Sequence, residues 1–468
     1  MQNFVRYSSL NALFSVLTKL IIFILMLIIA RTLSVTEYAF FGQLYAVQQV
    51  MITLIGAGYV EVVIHLSHNS ELNRMAIYKN ALMASVPVTL FFLFLATIII
   101  IVFRGIIGES IIGYGFALVG GCVGGYFVLV SKLNRLLENH SHALLLLYTP
   151  LIVTFSTGYV FLSISGQVVM FFLGSLLGFL FSGMVLNKAY TVFIKNKFTR
   201  SEPIISQINR DIKPYISVAF LGWLSGYGNV YVIKFFLPDI SIAKYTFLYT
   251  LSGVMLLVAN SMNQIWSPYF YRVSKEESHD YIETISYWYY TSLTVLLSLA
   301  AGFVIICYKP LMVFLGGNLA NYSGFTIELS LMLASFVIYT PVWHARNHLY
   351  LKSHGSVMLN ISILSSSIGF LVMILSIYIY GDIGIYIGIL GLSLSQLFSF
   401  CFYSHRKWGS RFPISGVAFG IAVVIGSYLL ALNQVDTLTF IISAIFFILS
   451  CGYIFRRKFL EVVKGHIS

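Results

Sequence analysis

Apolar stretches of helix-spanning length recur along the whole chain, separated by short polar or charged breaks. A helix rising ~1.5 Å per residue needs roughly 20 such residues to cross bilayer hydrocarbon. About fourteen stretches meet that requirement: 10–31, 38–66, 78–103, 110–131, 143–164, 167–187, 214–237, 243–270, 284–308, 326–350, 356–380, 383–404, 413–432 and 436–455. The pattern predicts an all-α polytopic membrane protein of about 14 transmembrane helices. The first run ends at Arg31 without a small-residue cleavage site, so it is expected to be a retained span and not a cleaved leader.

Charge placement orients this path. With the N-terminus assigned to the cytoplasm, twenty-two of the 28 lysines and arginines fall on the inner side. Arg31, Arg104, Lys234, Lys244 and Lys309 fall at outer ends, and Lys19 lies within a span. Shifting the path by one crossing inverts the ratio, so the positive-inside rule favours this span count with both termini cytoplasmic. The net charge of +12 is thereby explained by topology, and no nucleic-acid partner is expected. Composition agrees: 59% of residues are hydrophobic and 9% charged, outside the range of soluble domains. Four cysteines in apolar runs, without a CxxC pair, are expected to be small buried residues.

The chain divides at its longest charged connection. Residues 1–190 form an expected N-terminal six-helix lobe, 191–213 a basic cytoplasmic linker and 214–405 a second six-helix lobe. Residues 406–468 add two further helices and a tail. A weak repeat supports the two halves: aligning Tyr38 with Tyr245 also aligns Phe40 with Phe247 and Leu44 with Leu251. Tyr38, Tyr78, Tyr114, Tyr245 and Tyr308 sit at span ends, where interfacial anchoring is the expected role. Small-residue spacings at Gly120/Gly124, Gly121/Gly125, Gly174/Gly178 and Gly384/Gly388 predict close helix packing. Pro87, Pro150, Pro268 and Pro341 lie inside spans as expected kinks or hinges.

No phosphate loop, paired zinc motif or nucleophile elbow is present, and the outer loops are short, so an enzyme is not expected. The informative residues are polar ones at membrane depth, each of which must face protein or water. Lys19 shares a face with Asn11, Ser15 and Thr18 and reads as a cation lining a hydrated cavity, with ion pairing or snorkelling as the alternative. Arg31, Lys234 and Arg272 are further candidates for holding an anion. Asn260, Asn263 and Gln264 form one polar stripe ahead of Pro268, joined by Asn229, Trp343 and Asn347 as candidate sugar contacts; interhelical hydrogen bonding is the competing role. Glu61 is the candidate for ion coupling. His344 and His348 have the i, i+4 spacing of metal ligands, but no carboxylate accompanies them in sequence, so no metal or other cofactor is expected. A cationic, amide-rich set suits an anionic substrate rich in hydroxyls.

At these residues the chain resembles the Wzx-type O-antigen and polysaccharide translocases of the multidrug/oligosaccharidyl-lipid/polysaccharide exporter superfamily. The resemblance lies in Ala30-Arg31-Thr-Leu-Ser-Val-Thr-Glu37-Tyr38, in Ile242-Ala-Lys-Tyr245 and in Ser267-Pro268-Tyr-Phe-Tyr-Arg272. Asn229, where relatives often carry Asp, and Ala243, where they often carry Gly, depart from it. The resemblance implies two six-helix lobes in a V around a cationic cavity, as in MATE transporters, in the bacterial inner membrane. It also implies flipping of an undecaprenyl-pyrophosphate-linked oligosaccharide, an O-antigen or related repeat unit, to the periplasmic leaflet by alternating access. Membrane lipids, a proton or sodium counter-ion and other polysaccharide-assembly proteins are the implied partners. A multidrug cation antiporter of the same fold is the first rival and needs membrane-embedded carboxylates. A membrane polysaccharide polymerase is the second and needs a large outer loop.

Overall fold

The computed structural model describes residues 2–69, 74–102, 111–136, 140–186, 201–352 and 355–432. Among them the secondary structure is helical. In chain order the helices are α1 (Gln2–Thr32), α2 (Val35–Asn69), α3 (Arg74–Val102), α4 (Ile111–Leu136), α5 (His140–Ser165), α6 (Val168–Val185) and α7 (Glu202–Leu224). The remainder are α8 (Asn229–Phe236), α9 (Asp239–Glu276), α10 (His279–Leu315), α11 (Thr326–Lys352), α12 (Gly355–Tyr380), α13 (Asp382–Trp408) and α14 (Ile414–Leu432). A 3-10 turn spans Gly317–Tyr322. Ten of the described helices are long and apolar enough to cross a membrane, or up to eleven if the bent α7–α8 pair counts as one span. Every expected span through 413–432 overlaps a helix; the last, 436–455, lies outside the described residues.

One expected span is corrected. Residues 214–237 do not form one continuous helix: α7 ends at Leu224 and α8 restarts at Asn229, bent by 49°. Glycine is the local cause. A Cβ on Gly228 would stand 2.6 Å from Leu224 Cα, so only glycine fits where the chain folds back on the last turn of α7. By contrast, the backbone stays helical through Pro87, Pro150, Pro268 and Pro341.

The described residues pack into two compact units: those within 1–246 and 354–363, and those within 247–353 and 364–432. In the first, α2 packs on α4 and α7, α5 on α6, and α1 along α5. Thus 202–246 groups with the N-terminal helices by contact, whereas the expected division assigns 202–213 to the linker and 214–246 to the second lobe. In the second unit, α11 packs on α10, α13 and α14, and α10 also on α14.

Glycine spacing explains the tightest of these contacts. A Cβ on Gly121 would lie 2.5 Å from the Gln48 carbonyl oxygen, and one on Gly125 would lie 2.8 Å from Ile55 Cβ. Those two glycines let α4 lie directly on α2. On an adjoining face of α4, Gly124 accommodates the ring of Phe179 from α6. In the second unit, Gly384 and Gly388 bring α13 against Ser376 and Met373 of α12. The Ser376 hydroxyl donates to the Gly384 carbonyl at 2.7 Å.

The tyrosines at span ends require a second correction. Tyr38, Tyr78, Tyr114, Tyr245 and Tyr308 all rank among the largest fully buried side chains. They are core residues with rings packed inside the protein, and the hydroxyls of Tyr114, Tyr245 and Tyr308 donate to protein acceptors. Tyr38 stacks on Phe41 at 5.7 Å, and Tyr308 donates to the Tyr322 carbonyl. The Ser34–Glu37 segment ahead of Tyr38 is a capping box. The Glu37 carboxylate accepts from Ser34 N–H at 2.9 Å, and the Ser34 hydroxyl faces Glu37 N–H at 3.3 Å.

Candidate functional site

The break between α7 and α8 leaves backbone groups without helical partners, which must be met inside the protein at membrane depth. Two side chains meet them. Asn229 Nδ2 donates to the Ser225 carbonyl at 3.0 Å and to the Tyr245 hydroxyl at 3.3 Å. The Tyr245 hydroxyl donates in turn to the Gly226 carbonyl at 2.6 Å. Asn229 and Tyr245 are both buried, at 0% and 1% exposure, so the break is a fixed element.

The break borders a cavity of about 800 Å³ within the first unit. Val47, Met51 and Leu54 of α2, Phe92, Leu95 and Ile100 of α3, and Tyr114 and Leu118 of α4 form part of its wall. Phe220 and Trp223 of α7, Gly228, Tyr231 and Phe235 across the break, and Leu359 and Ile363 of α12 complete it. Among the described residues none that lines it is ionisable in the physiological range. The polar tips of its aromatic side chains are engaged elsewhere. Tyr231 donates to the Gln43 carbonyl at 2.9 Å, Tyr114 to Gln43 Oε1 at 3.3 Å, and Trp223 Nε1 to the Ala46 carbonyl at 2.8 Å. Ring faces and alkyl groups are therefore what the cavity offers a ligand. Leu95, Phe220, Phe235 and Ile363 are also exposed, so its apolar lining continues onto the protein surface. Such a cavity takes hydrocarbon.

The residues singled out in sequence distribute as follows. Lys19, Glu61, Asn260, Gln264 and Arg272 lie on α1, α2 and α9, but their side chains fall outside the described residues. Arg31 is exposed in the last turn of α1. Lys234 ends α8 and pairs with Asp239 at 2.7 Å, so its charge is already matched. In the second unit Tyr290 of α10 joins two of the amides. Its hydroxyl donates to Asn263 Oδ1 at 3.0 Å and accepts from Asn347 Nδ2 at 2.9 Å. Asn347 Oδ1 also accepts from Ser267 at 3.2 Å. Asn263 and Asn347 thus make interhelical hydrogen bonds. Trp343 is buried, with its indole edge-on to Tyr339 at 5.5 Å.

One cluster was missed in sequence because its third member is remote. His344 and His348 are accompanied by a carboxylate after all, that of Glu283 on the facing helix α10. Glu283 lies one residue ahead of the apolar run 284–308 and gave no signal of its own. The cavity residues were missed because leucines and phenylalanines are indistinguishable, by sequence, from lipid-facing or core side chains.

With fold and site described, the class can be stated: a multi-pass helical membrane protein with the fold of the transporters and flippases of the MOP superfamily. The chain belongs to the polysaccharide biosynthesis protein family, whose model matches residues 4–274. The resemblance drawn from its motifs holds at that level. Among solved structures it is similar to the lipid II flippase MurJ in an inward closed conformation, at 14% identity and a TM-score of 0.66. That match covers 98% of this chain and 100% of the other. It is similar also to an inward-facing multidrug resistance MATE family transporter of the MOP superfamily, at 15% identity and a TM-score of 0.63, covering 89% and 95%. The Vibrio cholerae MATE transporter VcmN, solved as a mutant, matches at 13% identity and a TM-score of 0.61, covering 88% and 98%. No curated protein sequence matches the chain. At these identities the structural likeness establishes the fold alone.

Proposed function

We propose that the protein is a flippase that carries an undecaprenyl-pyrophosphate-linked oligosaccharide from the cytoplasmic to the periplasmic leaflet of a bacterial inner membrane. The observation that carries this reading is the apolar cavity of about 800 Å³ beside the broken helix, in a member of a polysaccharide biosynthesis family. A polyprenyl tail needs a hydrocarbon-lined recess that communicates with the bilayer. The exposed Leu95, Phe220, Phe235 and Ile363 provide the entry. A cation antiporter would instead need a carboxylate in its binding cavity, and none is present among the described lining residues.

In this reading both termini are cytoplasmic, and two related six-helix halves alternate between inward- and outward-open states. Lys19, with Arg31 and Arg272 at the mouths, attracts the pyrophosphate. Asn260 and Gln264 contact the sugars, while Asn229, Asn263, Asn347 and Trp343 hold the surrounding helices in place for that contact. Lys234, matched by Asp239, adds little. Glu61 is the proposed carrier of a coupling proton or sodium ion. An O-antigen repeat unit is the proposed cargo, and other polysaccharide-assembly proteins receive it. No catalytic step on the substrate is part of the cycle.

The test is a vesicle assay in which the purified protein is reconstituted with a labelled lipid-linked oligosaccharide and leaflet accessibility is followed. Protein-dependent translocation is expected. Extrusion of organic cations without movement of the lipid would overturn the reading in favour of the antiporter.

A further inference from the structure

Glu283 of α10 and His344 and His348 of α11 converge in the second unit, and none of them lines the cavity. His348 Nε2 lies 2.8 Å from Glu283 Oε1, and His344 Nε2 lies 3.5 Å from Glu283 Oε2. One ligand atom from each residue can be chosen so that all lie within 4.8 Å of one another. The three side chains are 1%, 0% and 1% exposed. Burying a carboxylate with two imidazoles is costly unless the charge is compensated. His348 approaches Glu283 at ion-pair distance, whereas both ring nitrogens of His344 lack a hydrogen bond of acceptable geometry. A cation shared by one nitrogen of each imidazole and a carboxylate oxygen would give His344 a partner.

We propose that Glu283, His344 and His348 bind a divalent transition-metal ion of the zinc type, which braces α10 against α11. Two imidazoles at i, i+4 on one helix with a carboxylate from a neighbour is an N,N,O donor set that suits zinc. The hard cations calcium and magnesium prefer all-oxygen shells, and copper(I) prefers sulfur. The surroundings orient the carboxylate as a metal ligand requires. Arg411 N–H donates to Glu283 Oε2 at 2.8 Å, while the Arg411 guanidinium turns away to Asp280 at 3.7 Å. Phe270 and Trp408 pack on the His348 ring and Phe412 on the His344 ring, walling the site from water. With every donor buried, an ion held here ties α10 to α11.

The experiment is a cobalt(II) titration of the full-length protein, purified in detergent and stripped with chelator. One bound equivalent is expected, with visible cobalt d–d absorption, displaced by zinc and accompanied by a rise in melting temperature. Glu283→Gln and His344→Gln should each lose that equivalent, and His279→Gln, a histidine held instead at the Trp408 carbonyl, should keep it. Absence of binding by the wild-type protein at tenfold excess metal overturns the proposal, as does an equivalent retained in both ligand variants. If those variants fail to fold, the wild-type titration and its metal-dependent melting shift decide the matter alone.

Discussion

Tyr245 donates its hydroxyl proton to the Gly226 carbonyl at 2.6 Å and so satisfies an acceptor freed where α7 breaks from α8. The same hydroxyl accepts from Asn229, which holds the other side of the break. Replacing Tyr245 by Phe keeps the ring but removes the shorter of two hydrogen bonds to the Gly226 carbonyl, which still accepts from Asn229 N–H at 3.2 Å, and takes one acceptor from Asn229 Nδ2. Loss of such a hydrogen bond costs ~0.5–1.5 kcal/mol. A lower melting temperature is expected for Tyr245→Phe, measured in detergent, with normal membrane insertion.

Asn229 offers a sharper comparison. Asn229→Asp removes the donor to the Ser225 carbonyl and to Tyr245 and buries a charge in its place. A larger destabilisation than that of Tyr245→Phe is expected, read in the same melts. Equal stability of Asn229→Asp and wild type would show that the side chain does not hold the break.

Close approach of α4 to α2 sets a steric prediction. Gly121→Leu puts a side chain where the Gln48 carbonyl already stands within 2.5 Å of a bare Cβ. Overpacking of this kind costs typically ~1–3 kcal/mol and shifts backbone. Reduced yield of folded protein by size-exclusion chromatography is expected, whereas Gly222→Ala, with nothing within 4 Å of its Cβ, should behave as wild type.

The cavity can be filled without touching any polar contact. Leu118→Trp adds bulk at a lining position and should abolish lipid translocation while the protein still folds and inserts. Unchanged export of full-length polysaccharide by cells carrying that variant would separate the cavity from transport.

Charge is tested at Lys19. If that residue attracts the pyrophosphate, Lys19→Glu should stop polysaccharide export at normal membrane levels, and Lys19→Arg should retain it. Lys234→Gln, which removes only an exposed pair with Asp239, should change stability by less than ~1 kcal/mol and leave export intact.

Much of the helical plan was legible in the sequence, because spans of this length have no alternative in hydrocarbon and glycine spacing reports close packing directly. Gly121, Gly125, Gly384 and Gly388 were correctly read as packing positions. The break at 225–228 was not, since a Ser-Gly-Tyr-Gly segment inside an apolar run has the same hydropathy whether helical or folded back. Tyr38 and Tyr245 were read as membrane anchors because sequence gives a tyrosine's depth along a span but not the direction it faces. The carboxylate beside His344 and His348 was out of reach for a different reason: its partner helix is fixed only by tertiary packing.

Translocation of a lipid-linked oligosaccharide is the activity that separates the proposed flippase from a cation antiporter. The most direct measurement reconstitutes the protein in vesicles carrying a labelled polyprenyl-pyrophosphate oligosaccharide in one leaflet and follows access of a membrane-impermeant sugar-binding probe to the other. The account requires protein-dependent appearance of the sugar on the far side, lost in Leu118→Trp. Vesicles in which the label stays in its original leaflet while organic cations are extruded would contradict it.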